Sequence, residues 1–188
     1  MLKKDSEEIL IKKILNGEQN AMRGLYDKYS GVLSTTCRRY IPYEDDMKDV
    51  LQDAFIKIFD KLNTFQYRGE GSLLAWMTRV VVNEALKHLR DTGKRNIVSS
   101  TWDLPDVSEE DEPDGVSNIP PEKLLEAIQQ LPDGYRAVFN LYVFEQKSHK
   151  EIAQLLDINE ASSASQYHRA KKALKKRINE LIKQHQNE

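Results

Sequence analysis

The 188 residues suffice for one medium or two small domains. With 39% hydrophobic and 31% charged residues, they read as a soluble globular chain. Lys+Arg 28 against Asp+Glu 30 leave a formal net charge of -2, so partners must be read from where charge clusters rather than from the total. No apolar run approaches membrane-spanning length, and Met1-Leu2-Lys3-Lys4-Asp5 lacks a signal-peptide core. Export and direct membrane insertion are therefore not expected, and a cytoplasmic protein is. The single cysteine, Cys37, sits in a helical pattern and reads as a buried structural thiol. His88, His149, His168 and His185 show no metal-ligand spacing, and no phosphate loop, nucleophile elbow or zinc signature occurs. Neither an enzyme nor a cofactor, metal or small-molecule substrate is expected.

From the N-terminus to Arg90 the pattern is helical. Ser6 to Asn16 is amphipathic through Ile9, Leu10, Ile14 and Leu15, and Gly17 can close it. Met22, Leu25, Tyr26, Tyr29, Leu33, Thr36, Cys37 and Tyr40 keep helical spacing until Pro42 stops the run. Met47, Val50, Leu51, Ala54, Phe55, Ile58 and Leu62 predict a third helix against a core. Asp46, Asp49 and Asp53, with Gln52 beside them, lie opposite that stripe and by themselves read as a solvated acidic face.

Asn63 to Gly71 then breaks the periodicity. Thr64, Phe65, Gln66, Tyr67 and Arg68 bring two aromatics, an amide and a cation next to glycines, the chemistry of a reader of unstacked bases. A surface loop whose aromatics cover the domain's end is the other reading. Ser72 starts a fourth helix with Leu73, Trp76, Met77, Val80 and Leu86; Trp76 suits either core or reader. Val80-Val81-Val82 needs tertiary burial to stay helical. Arg79, Asn83, Lys87 and Arg90 recur at three and four, a polar stripe toward phosphates.

Between Asp91 and Pro120 lie Asp91, Asp103, Asp106, Glu109, Glu110, Asp111, Glu112 and Asp114 against only Lys94 and Arg95, with Pro105, Pro113 and Gly115 interrupting. Such a composition reads as an acidic flexible linker, in which Trp102 could be a docking anchor. Pro120-Pro121 opens a last set of short helices. The first carries Leu124, Leu125, Ile128 and Leu131, and the next, after Pro132, carries Val138, Phe139, Leu141 and Tyr142. The expected organisation is all-α: helical domains at 1–91 and 120–188 joined by a linker at 92–119.

Ser148 to Lys172 reads as a helix-turn-helix. Ser148 and Glu151 fit a capping box, Leu156-Asp157-Ile158 makes the turn, and Asn159 can cap the second helix. Ser162, Ser163, Ser165, Gln166, His168, Arg169 and Lys172 are side chains suited to base edges and phosphates. Arg169, Lys171, Lys172, Lys175, Lys176 and Arg177 give this end a positive field, best used on phosphate.

Leu25-Tyr26-Asp27-Lys28-Tyr29, the run from Asp49 to Phe59, and Gly71-Ser72 before Trp76, Arg79 and Asn83 stand in a characteristic order. So do Leu131-Pro132, Tyr135-Arg136, Ile152-Ala153, Leu156 and His168-Arg169-Ala170. In that order and spacing the chain resembles the extracytoplasmic-function (ECF) branch of bacterial RNA polymerase sigma factors over nearly its whole length. The resemblance implies a transcription initiation factor that binds core RNA polymerase, selects promoters and helps melt them. Region two would hold core polymerase through Asp46, Asp49, Gln52 and Asp53. Its loop Thr64 to Arg68 would capture a flipped base of the downstream element on the non-template strand, with Arg79, Asn83, Lys87 and Arg90 along the DNA. Region four would bind the upstream element as duplex.

By the same resemblance the linker threads through the polymerase toward the RNA path, where its carboxylates act either as a charge mimic or as a plain tether. An anti-sigma protein is a further implied partner. The chain departs from the family at Val81 and Lys87, where alanine and aspartate are common. It departs also at Ala164 and Gln166, where basic residues are common, which implies a different upstream preference or more reliance on Arg169 and the lysines. A helix-turn-helix regulator with a helical effector domain is the alternative, but it leaves the aromatic, basic fourth helix unexplained. An adaptor that binds protein only leaves the basic tail unexplained.

Overall fold

The computed structural model describes residues 6–92 and 119–185, and among them there is no strand. The chain forms two compact units, Met1–His88 and Leu89–Glu188. The linker's Trp102 and the carboxylates from Asp106 to Asp114 lie outside the described residues.

In the first unit α1 (Ser6–Leu15), α2 (Gln19–Tyr40) and α3 (Glu44–Lys61) are followed by a 3-10 turn (Leu62–Thr64) and α4 (Ser72–Asp91). Leu25, Leu33, Cys37 and Tyr40 of α2 are buried with Met47, Val50, Ala54 and Ile58 of α3 and Leu73, Met77, Val81 and Ala85 of α4. These are the three-and-four stripes of helices sharing one core. Burial of Val81 and Val82 supplies what their propensity withholds. Cys37 is fully buried, which pushes its thiol up to about 12 and leaves it inert.

Local chemistry sets the helix ends. Gly17, at φ +84°, closes α1: its N–H bonds Ile14 O at 2.9 Å, and Glu18 N bonds Lys13 O at 3.1 Å. Ile41, extended before Pro42, ends α2. The expected apolar stripe of α1 is corrected. Ile9 and Leu15 are exposed, and the inward face is Glu7, Ile11 and Ile14. Residues four and three apart share a face, so Glu7 fixes the phase that the apolar pattern misjudges.

The second unit holds α5 (Pro121–Gln129), α6 (Asp133–Val143), α7 (His149–Leu156) and α8 (Glu160–His185). Ala127, Ile128, Leu131, Tyr135, Ala170 and Leu174 make its core, with Phe139, Ala173 and Ile178 against them. Buried Arg136 donates to Gln129 O at 3.1 Å and Leu131 O at 2.6 Å and also pairs with Asp133. The guanidinium thus satisfies carbonyls left over at the end of α5. The Ser148 capping box forms in full. Asp157 takes the left-handed conformation at φ 54°, and Asn159 Oδ1 accepts the Ser162 N–H at 2.6 Å. The expected helix-turn-helix is therefore present.

Candidate nucleic-acid interface

The first surface lies where the 3-10 turn feeds into α4. Thr64 Oγ1 bonds Lys61 O at 2.8 Å and Phe65 N bonds Leu62 O at 3.1 Å, which ends the turn and turns Phe65 toward α4. The Phe65 and Trp76 rings stand 5.1 Å apart, tilted by 39°. They wall a half-open cavity of about 380 Å³, lined also by Thr64, Gln66, Arg68, Ser72, Ala75 and Arg79. Its charged lining is Arg68 and Arg79, and no carboxylate lines it. Two aromatic faces beside two guanidinium groups suit a base drawn from the stack with its phosphates nearby.

Of the loop residues named from sequence, Thr64, Phe65, Gln66 and Arg68 line the cavity, and Tyr67 does not. Tyr67 is half-buried and acts on Tyr29 instead. The Tyr29 hydroxyl is raised well above its ordinary value, first by burial, then by Glu7, with Tyr67 and Glu70 adding. Trp76 is half-buried and lines the cavity. Beyond it Arg79, Asn83, Lys87 and Arg90 are all exposed along one side of α4. Two glycines with positive φ, Gly69 at +113° and Gly71 at +81°, shape the approach to α4. Ser72 Oγ holds that turn, donating to Gly69 O at 2.6 Å and accepting from Arg68 N at 3.2 Å.

The acidic face of α3 is open. Asp49, Gln52 and Asp53 are exposed, and neither aspartate forms an ion pair among the described residues. Ile56 is exposed on the same side. Asp46 stands apart, its carboxylate 3.7 Å from His88 Nε2 of α4.

On α8 the phase of the helix divides the seven residues named from sequence. Ser165 and His168 are exposed, while Ser162, Arg169 and Lys172 are half-buried. Ser163 and Gln166 are buried, and here the sequence reading is corrected. Ser163 Oγ lies 3.0 Å from His149 Nδ1 of α7, a hydrogen bond between the two helices of the motif. Both positions sit on the face that also buries Ala170 and Leu174, so neither can reach a base edge. Arg169 leans inward too, donating to the Tyr135 hydroxyl at 3.3 Å. The outward face carries Ala161, Ala164, Ser165, His168 and Lys171, with Lys172 at its edge. Tyr167 packs between Tyr142, at 4.3 Å, and Phe139, at 6.3 Å, fixing the helix against α6. Burial first, then Tyr142, raises its pKa.

Two family models match, in the order of the two units. Sigma-70 region 2 covers residues 25–95, and Sigma-70, region 4 covers residues 122–174. The ECF RNA polymerase sigma-E factor of Escherichia coli is 28% identical over 193 residues, covering 95% of this chain and 97% of that protein. The RNA polymerase sigma-H factor of Pseudomonas aeruginosa is also 28% identical, over 98% of this chain and 100% of its own length. Among solved structures, the sigma factor RpoE in complex with the anti-sigma factor NepR from Bartonella quintana has the same fold. Its TM-score is 0.50 at 17% identity, over 84% of this chain and 96% of that one. Both domains, in this order and over nearly the full length of the relatives, make the chain a member of the ECF branch of the RNA polymerase sigma factors.

Proposed function

We propose that the chain does its work as a transcription initiation factor through three surfaces: α3 on core RNA polymerase, the Phe65–Trp76 cavity on a downstream promoter base, and α8 on the upstream element. The cavity carries the reading. It combines two aromatic walls with two cations, as capture of one unstacked base from a polyanionic strand requires. Exposed Arg79, Asn83, Lys87 and Arg90 then guide the non-template strand along α4.

Asp49, Gln52 and Asp53 offer carboxylates and an amide to arginines of the polymerase. Asp46, engaged with His88, is secondary. On α8, Ser165 and His168 read base edges while Lys171 and Lys172 hold phosphates. A protein of the anti-sigma kind, as is bound to the Bartonella factor, is the partner we infer for the inactive state. Among the described residues no helix is long and apolar enough to cross a membrane. We assign the chain to the cytoplasm, where its polymerase works, and give it no catalytic role of its own.

The test is a loop exchange. Thr64 to Arg68 is replaced by the same stretch of another ECF factor, and open-complex formation is measured on promoters varied only in the downstream element. The preferred base should follow the loop. Unchanged preference with normal opening would remove the loop from base capture.

A further inference from the structure

Among the described residues one carboxylate is buried, that of Glu7 in the first turn of α1, at 5% exposure. It stands on the face that also buries Ile11 and Ile14, where a leucine would pack as well. A buried carboxylate is costly unless hydrogen-bonded, so its partners explain its presence. Both are neutral donors. The Tyr29 hydroxyl of α2 donates to Oε1 at 2.7 Å, and the backbone N–H of Gly71 donates to Oε2 at 3.2 Å. The Tyr29 hydroxyl is protonated at neutral pH, as any tyrosine is, and its pKa is raised further, first by burial and then by Glu7.

Gly71 is the last residue before α4, where an N–H has no partner within the helix and a negative charge meets the favourable end of the helix dipole. It also belongs to the turn that closes the base-reading loop. At Gly69 and Gly71 an added Cβ would meet nothing within 4 Å, so these glycines serve the positive φ and not close packing. The two glycines of that turn carry no side chain with which to anchor it. The side chains that hold it are Ser72, local to the turn, and Glu7, sixty-four residues away in sequence and mounted on α1.

We propose that Glu7 is a positioning residue for promoter opening, in which its buried carboxylate, braced by Tyr29, pins Gly71 and so holds the Phe65–Arg68 loop in register with Trp76 and Arg79. The proposal rests on that loop being the base reader, and it makes α1 part of the reader although α1 touches no DNA.

The experiment uses the full chain with core RNA polymerase and compares Glu7→Gln, Phe65→Ala and the double variant. Glu7→Gln should leave core affinity unchanged and slow open-complex formation by about tenfold, the worth of one hydrogen bond to a charged group. It should also flatten discrimination among downstream bases. Hydrogen exchange at the Gly71 amide should quicken while amides of α2 stay protected. In the double variant Glu7→Gln should add nothing to Phe65→Ala. Normal discrimination in Glu7→Gln beside a defective Phe65→Ala overturns the positioning role and leaves the loop as reader. A Phe65→Ala protein with normal opening overturns the loop reading and this proposal with it. Should Glu7→Gln fail to fold, Tyr29→Phe takes its place, removing one brace and keeping the charge. A folded Tyr29→Phe with native discrimination and native Gly71 exchange overturns the proposal.

Discussion

Trp76 decides whether the cavity is a binding site or only the end of a core, because the two roles differ in magnitude and in assay. As core, a tryptophan truncated to alanine costs about 3–5 kcal/mol, a large part of a stability of roughly 5–15 kcal/mol. Yet Trp76 is half-buried, and its ring faces Phe65 across 5.1 Å on the open side of α4. Its aromatic pairing is worth about 0.5–1.5 kcal/mol beyond the area it covers. Trp76→Leu retains part of the apolar volume and should therefore cost less than truncation to alanine, each kcal/mol lost lowering the melting temperature of the first domain by about 4–8 °C. Stacking on a base is worth about 1–3 kcal/mol, roughly 5- to 150-fold in occupancy of the open complex. The assay is fluorescence of a base analogue placed at each downstream position, recorded with polymerase saturated by Trp76→Leu or Trp76→Phe protein. Leucine should lose opening by that factor, and phenylalanine should recover most of it. Normal opening by Trp76→Leu, with its melting point lowered, would return the residue to the core.

Reversing Asp49 and Asp53 to lysine should weaken core binding at moderate salt and leave helicity and melting unchanged, since both side chains are exposed; equal affinity would remove α3 from the polymerase contact. Ser165→Ala and His168→Ala should change upstream-element preference by about 0.5–1.5 kcal/mol for each hydrogen bond removed from a base edge, whereas Gln166→Ala should cost stability and leave preference intact. Selection assays on randomised upstream elements distinguish these outcomes. Lys172→Ala should weaken binding to all sequences alike and lower the salt slope by about 1. Glu151 is held down at about 2, chiefly by the Ser148 backbone N–H, then by Lys147 and the Ser148 hydroxyl. A carboxylate whose pKa falls on folding stabilises above its unfolded value and loses that contribution as pH drops through the folded one. The cap of α7 should therefore hold until acidification from 4.5 toward 2, followed by exchange of the Ser148 amide that the carboxylate accepts; loss of the cap above that window would contradict it.

The helices were legible because their ends are written in local chemistry. Gly17, Pro42, Pro121, Pro132 and the Ser148–Glu151 box each act on their nearest neighbours, and the helix ends beside them fall where these residues stand. The phase of α1 was not legible. A buried acid looks like a solvent-facing residue to any apolar count, and Glu7 is buried only because α2 and the α4 turn bring it donors. Arg136 misleads in the same way: a cation at 2% exposure, its donors spent on carbonyls that exist only once α5 has ended. The pairing of Phe65 with Trp76 likewise required the intervening turn, with two glycines at positive φ, to fold back on α4.

The recognition helix shows most directly what a list of polar residues leaves out. Ser163 and Gln166 are as capable of hydrogen bonding as Ser165 and His168, and composition cannot separate them. Periodicity can, once the inward face is anchored: Ala170 and Leu174 are buried, and Ser163 and Gln166 lie seven and four residues before Ala170, about two turns and one turn. Burial then changes their chemistry. Ser163 spends its hydroxyl on His149, tying the two helices of the motif together, and so helps fix where the outward residues point. On that outward face small Ala161 and Ala164 precede Ser165, with His168 and Lys171 one and two turns on, so under the function proposed above readout runs through Ser165 and His168 close to the groove. The basic residues often found at the positions of Ala164 and Gln166 are thus replaced in two different ways, by a small exposed side chain and by a buried one. Under the function proposed above, the phosphate grip that they would have supplied falls to Lys171, Lys172 and the lysines that follow.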